Sequence, residues 1–122
     1  MTEPLRIEYF SDIMCVWAYA GQIRLDELSH QFGARIHVEY RFMNIYGDVP
    51  RRIQEHCGGE AEPQLAYARK MRAVAARFEH TNMHDDAFAK VVPKTANQAH
   101  MVLAAVRLLR QPLQVDNERL GR

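Results

Sequence analysis

Two short alternating segments flank one amphipathic stretch within the first 42 residues, and this arrangement constrains the fold more than any other feature. From Leu5 to Phe10, Leu5, Ile7 and Tyr9 share one face against Arg6 and Glu8 on the other, the period of a strand, and Ser11-Asp12 then supply turn and capping residues. From Cys15 to Phe32, Trp17, Gly21, Leu25, Leu28 and Phe32 recur at spacings of four, four, three and four, which predicts an amphipathic helix stopped by Gly33. Ala34 to Phe42 alternates again, with Ile36, Val38, Tyr40 and Phe42 opposed by Arg35, His37, Glu39 and Arg41. Strand, helix, strand at this spacing is a βαβ unit. Its strands are expected to run parallel, joined by a right-handed crossover.

The rest of the chain reads as helix and connection. Asn44 to Glu62 carries Gly47, Pro50, Gly58 and Gly59 around one short helical candidate, so it is taken mostly as connection. Pro63 opens a clearer helix with the stripe Leu65, Ala68, Met71, Ala75 and Phe78 and a basic face of Arg69, Lys70, Arg72 and Arg77. In VPKTANQAHMVLAAVRLLR, Thr95 stands three residues before Gln98 in capping-box spacing, followed by the stripe Ala99, Val102, Val106 and Leu109. The closing QPLQVDNERLGR is polar and is expected to fray. The resulting division is 1–43 for the βαβ part, 44–112 for a helical insertion and 113–122 for a tail.

A chain of 122 residues makes one domain, and 16 basic against 15 acidic residues give a net charge of +1, which points to no nucleic-acid partner. The N-terminus lacks a basic segment followed by an apolar run, and no window approaches the roughly 20 apolar residues of a membrane span. The reading is therefore a cytoplasmic chain without membrane association. In that compartment Cys15 and Cys57 stay reduced, and no disulfide framework is expected.

Cys15 stands where a strand hands over to a helix. Backbone N–H groups at a helix start are unpaired and carry partial positive charge, which favours thiolate over thiol. The competing reading is a small buried hydrophobe, as free cysteine often is. Both remain open on spacing alone.

The stretch IEYFSDIMCVWAYAG, the helix after it, the second strand ending in YRFM, and VPKTANQAH opening a later helix together resemble the DsbA family of thioredoxin-like disulfide oxidoreductases. In the cytosolic branch of that family the corresponding stretch reads Asp, two apolar residues, Cys-Pro-Trp-Cys, Tyr, any residue, Gly. Asp12, Cys15, Trp17, Tyr19 and Gly21 fit in register, and the resemblance runs from residue 7 to about residue 110. It implies an α/β fold: a thioredoxin-like βαβ unit with an α-helical insertion. It also implies catalysis by Cys15, with Asp12, Trp17 and Tyr19 at the substrate.

Val16 replaces the family's proline and Ala18 its second cysteine. In a dithiol enzyme the second thiol attacks the mixed disulfide to release product, so this site needs an outside thiol such as glutathione. Cys57 takes that part only if the insertion brings both sulfurs within disulfide geometry. Kappa-class glutathione transferases and 2-hydroxychromene-2-carboxylate isomerases are similar in fold, also lack the dithiol, and carry serine at the position of Cys15. They imply a second reading in which Cys15 only positions the sulfur of glutathione. The family's C-terminal ββα unit, entered through a cis-proline, has no counterpart, since none of Pro4, Pro50, Pro63, Pro93 or Pro112 precedes a candidate strand. The expectation is a fragment or truncated product, or else a homo-oligomer joined through the unpaired edge of the first strand. A non-catalytic interaction module is the third reading.

Weaker constellations complete the sequence. His80, His84, Asp85 and Asp86, with His56-Cys57 earlier, read first as solvated polar positions, and no metal is assigned to them. No cofactor is expected beyond glutathione. His100 reads first as a helix-packing residue.

Overall fold

Alternation produces the two strands where the sequence predicts them. The computed structural model describes residues 2–110 and contains β1 (Leu5–Ser11), α1 (Val16–Phe32), a 3-10 turn (Gly33–Arg35), β2 (Ile36–Phe42), α2 (Val49–Cys57), α3 (Pro63–Ala75) and α4 (Asn97–Arg110). The chain is thus mixed α/β, with two parallel strands and four helices among the described residues. Leu5 lies opposite Ile36 and the register runs in step to Ser11 opposite Phe42. No further strand pairs with the outer edge of β1 among the described residues. Gly33 ends α1 at φ 49, ψ −126, a backbone conformation costly for residues with a Cβ, and its N–H bonds the Ser29 carbonyl. The tail assigned to 113–122 lies outside the described residues.

One face of the sheet meets α1. Tyr9 and Tyr40, paired across the strands, pack edge to face at 5.9 Å, and Gln22 Nε2 donates to the Tyr40 hydroxyl at 2.8 Å. A Cβ added at Gly21 would stand 3.8 Å from the Tyr9 hydroxyl, an ordinary contact, so the approach of the helix does not require glycine there. The buried residues of α1 are Val16, Ala20 and Leu25, so the predicted stripe is corrected. Only Leu25 of that stripe is buried, while Trp17, Leu28 and Phe32 are exposed; besides the sheet, α1 meets α3 and the segment 77–82 that follows it.

The opposite face of the sheet is a lattice of charge. Glu8 lies directly across from Glu39, a repulsive pairing by itself, but Arg6 and Arg41 each bridge both carboxylates, at 3.2 and 2.5 Å and at 3.2 and 3.0 Å. Arg107 of α4 adds a third cation on Glu39 and donates to the Tyr40 carbonyl at 2.5 Å, which places α4 on the β2 side of the sheet. Burial alone would raise the Glu39 carboxyl, yet the Arg6 hydrogen bond and the charges of Arg41, Arg6 and Arg107 outweigh it and hold the group below its ordinary value.

The core sits in the helical part. Tyr46, Val49, Ile53, Cys57, Ala66, Tyr67, Ala68, Phe88 and Ala96 form one buried cluster. The segment read as connection therefore contains a true helix, α2, whose Val49, Ile53 and Cys57 recur every fourth residue on the buried side. Asp48 caps it by accepting the Arg51 N–H at 3.0 Å, and Pro50 occupies the first turn, where no amide hydrogen is needed. At its centre the hydroxyls of Tyr46 and Tyr67 meet at 2.6 Å, with Arg52 Nε donating to Tyr67 at 3.3 Å and its guanidinium over the Tyr46 ring. Burial, with the Tyr67 hydrogen bond adding to it, pushes the Tyr46 hydroxyl well above its ordinary value. In α3 the buried residues are Ala66, Tyr67, Ala68 and Ala75; of the predicted stripe, Ala68 and Ala75 are buried and Met71 packs against the core, whereas Leu65 is exposed and Phe78 falls beyond the helix end. In α4 the predicted stripe is exposed and the buried residue is His100. Thr95 does serve the start of α4, its hydroxyl accepting the Asn97 N–H at 3.1 Å.

The Glu39 lattice has a pH signature. A carboxylate whose folded value is depressed adds stability above its ordinary value of 4.5, and this stability is lost as pH falls through the lower folded value. Melting temperatures recorded at low salt should fall on acidification below that point in the native chain and fall less steeply in Glu39→Gln.

Candidate thiol site at the start of α1

Four residues, Asp12 to Cys15, carry the chain from β1 into α1, and each is fixed by a hydrogen bond. Asp12 is buried, with Oδ1 accepting the Met14 N–H at 2.9 Å and Oδ2 accepting the Tyr46 N–H at 2.8 Å. Its carbonyl accepts the Cys15 N–H at 3.0 Å. The remaining amide, that of Ile13, donates to His100 Nε2 at 3.0 Å. Since Nε2 accepts there, it carries no proton, and its 3.4 Å approach to Asp12 Oδ1 is a contact of a neutral ring rather than an ion pair. The proton then sits on Nδ1, which is buried with no protein partner. Phe42 at the end of β2 stacks on the ring at 4.7 Å.

Cys15 is the N-cap of α1, at φ −78 and ψ 115, and its carbonyl accepts the Tyr19 N–H at 3.0 Å. Its side chain makes no capping hydrogen bond, and the first turn of α1 holds no acidic residue. Cys15 is half-buried, packed with Met14 against the helical core. Carboxylates that would otherwise neutralise the helix start are absent from this turn, and Asp12, the nearest in sequence, has both oxygens committed elsewhere.

Of the expected substrate residues, Asp12 is buried, and its carboxylate accepts two amides of the chain itself. Trp17 is 52% exposed, edge-on to Phe78 at 6.0 Å, with the Arg77 guanidinium 5.6 Å above its ring. Tyr19 is 45% exposed, and its hydroxyl accepts the Asn82 N–H at 3.1 Å. Ala18, where the resemblance places a second cysteine, lies on the wall of a hollow of about 270 Å³ with Tyr9, Tyr19, Gln22 and Tyr40. Cys57, at the end of α2, is only 2% exposed and lies inside the core, and both cysteines are free.

His80 Nε2 hydrogen-bonds the Ala20 carbonyl at 2.8 Å, and His84 Nδ1 accepts the Asp86 N–H at 3.1 Å, so both imidazoles have local partners. Among the described residues no three His, Cys, Asp or Glu side chains are grouped to hold a metal ion. On the basic face of α3, Lys70 and Arg72 are bound to the carbonyls of His56 and Asp85. Two residues of the site escaped the sequence reading. His100 was legible only as a packing residue, and Tyr46, whose amide Asp12 holds, gave no local signal at all.

Removing the Asp12 carboxylate leaves the Met14 and Tyr46 amides without acceptors. Asp12→Ala should therefore lower unfolding free energy by about 3 kcal/mol in urea titrations, well beyond a surface substitution. Among the described residues no helix is long and apolar enough to cross a membrane. Comparison with protein-family models, with curated proteins and with solved structures finds no match to this chain.

Proposed function

We propose that the chain carries out monothiol exchange at Cys15, with glutathione as the resolving thiol. The observation that carries this reading is the setting of Cys15: a half-buried cysteine at the N-cap of a 17-residue helix whose first turn holds no acid, while the other cysteine is buried in the core. The resemblance of the surrounding stretch to the DsbA family supports it.

The chemistry balances with one cysteine. The Cys15 thiolate attacks the glutathione sulfur of a mixed disulfide, forming a Cys15–glutathione disulfide and expelling the other half as its thiolate. A glutathione thiolate then attacks the glutathione sulfur on Cys15, restoring the Cys15 thiolate and releasing oxidised glutathione. Ala18 cannot perform this second attack, so turnover depends on the glutathione supplied by a reducing, cytosolic compartment. Asp12 and His100 act by holding the turn that presents the sulfur, and the exposed rings of Trp17 and Tyr19 provide a surface for the substrate beside it.

Intact mass after incubation with oxidised glutathione tests the reading. About one glutathione per chain is expected, mapped to Cys15, absent in Cys15→Ser and retained in Cys57→Ser. Modification of the folded protein at a rate no greater than that of an unstructured peptide thiol would remove the basis of the proposal.

A further inference from the structure

The ring of His100 meets the thiol turn with its two nitrogens unequally satisfied. Nε2 accepts the Ile13 N–H at 3.0 Å, yet the same nitrogen stands 3.4 Å from Oδ1 of the buried Asp12. An unprotonated ring nitrogen is electron-rich, and a carboxylate beside it repels it. Nδ1, which holds the proton of the neutral ring, is buried with no hydrogen-bond partner among the described residues. The neutral ring therefore serves one amide and leaves both its Asp12 contact and its own N–H poorly met. A second proton reverses the assignment. With hydrogen on Nε2 the ring can no longer accept from Ile13, but it can donate to Asp12 Oδ1 as a charge-assisted bond, alongside the Met14 N–H already there. The released amide has an outlet, because Ile13 is 50% exposed and water can take the place of the ring.

One planar peptide carries the effect to the cysteine. The Asp12 carbonyl and the Ile13 N–H belong to the same rigid unit: the N–H is held by His100, and the carbonyl accepts the Cys15 N–H at 3.0 Å. Freed at one end, that unit can rotate, and the bond that sets Cys15 at the start of α1 is disturbed with it. We propose that His100 is a pH switch for the thiol turn: the neutral ring clamps the Asp12–Ile13 peptide and fixes Cys15, whereas the imidazolium binds Asp12, releases Ile13 and slackens the turn. The switch regulates the site proposed above and rests on reading Cys15 as its working thiol.

The charges around the ring allow the imidazolium to form inside the fold. From the β1–α1 turn it faces Asp12, the opposite charge. From β2 and from α4 itself, Tyr40, Arg41 and Arg107 line a hollow of about 490 Å³ together with His100, and both arginines are already paired with Glu39. Phe42, stacked on the ring, brings no charge. Histidine is the side chain that ordinarily changes charge between about pH 5 and pH 8. The turn is held on the alkaline side of the ring's ionisation and slack on the acid side.

An NMR titration of the full chain is the first test and needs no substitution. At about pH 8 the ring of His100 should be the neutral tautomer with its proton on Nδ1. On acidification the Ile13 and Cys15 amide protons should both move upfield, as for lost acceptors, with the midpoint of the ring's own ionisation. In His100→Gln, whose side-chain carbonyl can accept the Ile13 N–H but does not ionise, both amides should hold still over the same range. The rate at which iodoacetamide alkylates Cys15, followed by mass, should then obey two ionisations in the native chain and one in His100→Gln. Two ionisations without any glutathione adduct would uphold the switch while removing glutathione exchange. A proton on Nε2 at about pH 8, a ring that stays neutral until the chain unfolds, an Ile13 amide indifferent to the ring, or the same alkylation profile in both proteins would each overturn the proposal.

Discussion

The carboxylate of Asp12 accepts amide hydrogens from two directions, Met14 in its own turn and Tyr46 at a sequence separation of 34, and the geometry of the thiol turn depends on that pair of bonds. Tyr46 in turn gives its carbonyl to the Ala96 amide, and Ala96 gives its own to His100, whose ring returns to Ile13. The circuit ties the β1–α1 turn, the segment before α2 and the start of α4 into one unit. A buried charge is costly unless its lone pairs are met, and here each oxygen has an amide. The sheet alone does not impose this order, since two strands and one covering helix leave much apolar surface open.

Legibility in the sequence followed the range of the interactions involved. Period-two alternation and the Gly33 stop are local, so β1, α1 and β2 were readable within a residue or two of their bounds. The helix α2 was legible only as a short candidate, because Pro50 and Gly58 look like breakers until one sees that they occupy its first turn and its end, where each is tolerated. The orientation of α4 was not readable, because periodicity marks an apolar face without saying which way it points. That choice was made by Arg107 and His100, whose partners Glu39 and Ile13 lie far away in sequence. The same limit applied at the site. Cys15 at a strand-to-helix junction was visible, whereas the sealing of Asp12 and the part played by Tyr46 depend on contacts between segments.

The two sides of the sheet illustrate two ways to satisfy a small surface. Toward α1, tyrosines at matching register fill space and use their hydroxyls on polar neighbours such as Gln22. Away from α1, three arginines and two glutamates neutralise one another in a network, which replaces apolar cover with mutual pairing. Exposed pairs of this sort add little individually. Their main effect is to let a pair of like charges sit side by side on adjacent strands.

The burial of Cys57 has a consequence for the lifetime of the molecule. The thiol, 2% exposed, is part of the buried cluster that α2 shares with the rest of the helical core, and interiors of this kind are close-packed. Any excursion that opens this core in oxidising surroundings lets the sulfur acquire a substituent, which opposes closure until a thiol removes it and persists once oxidation passes the sulfenic stage.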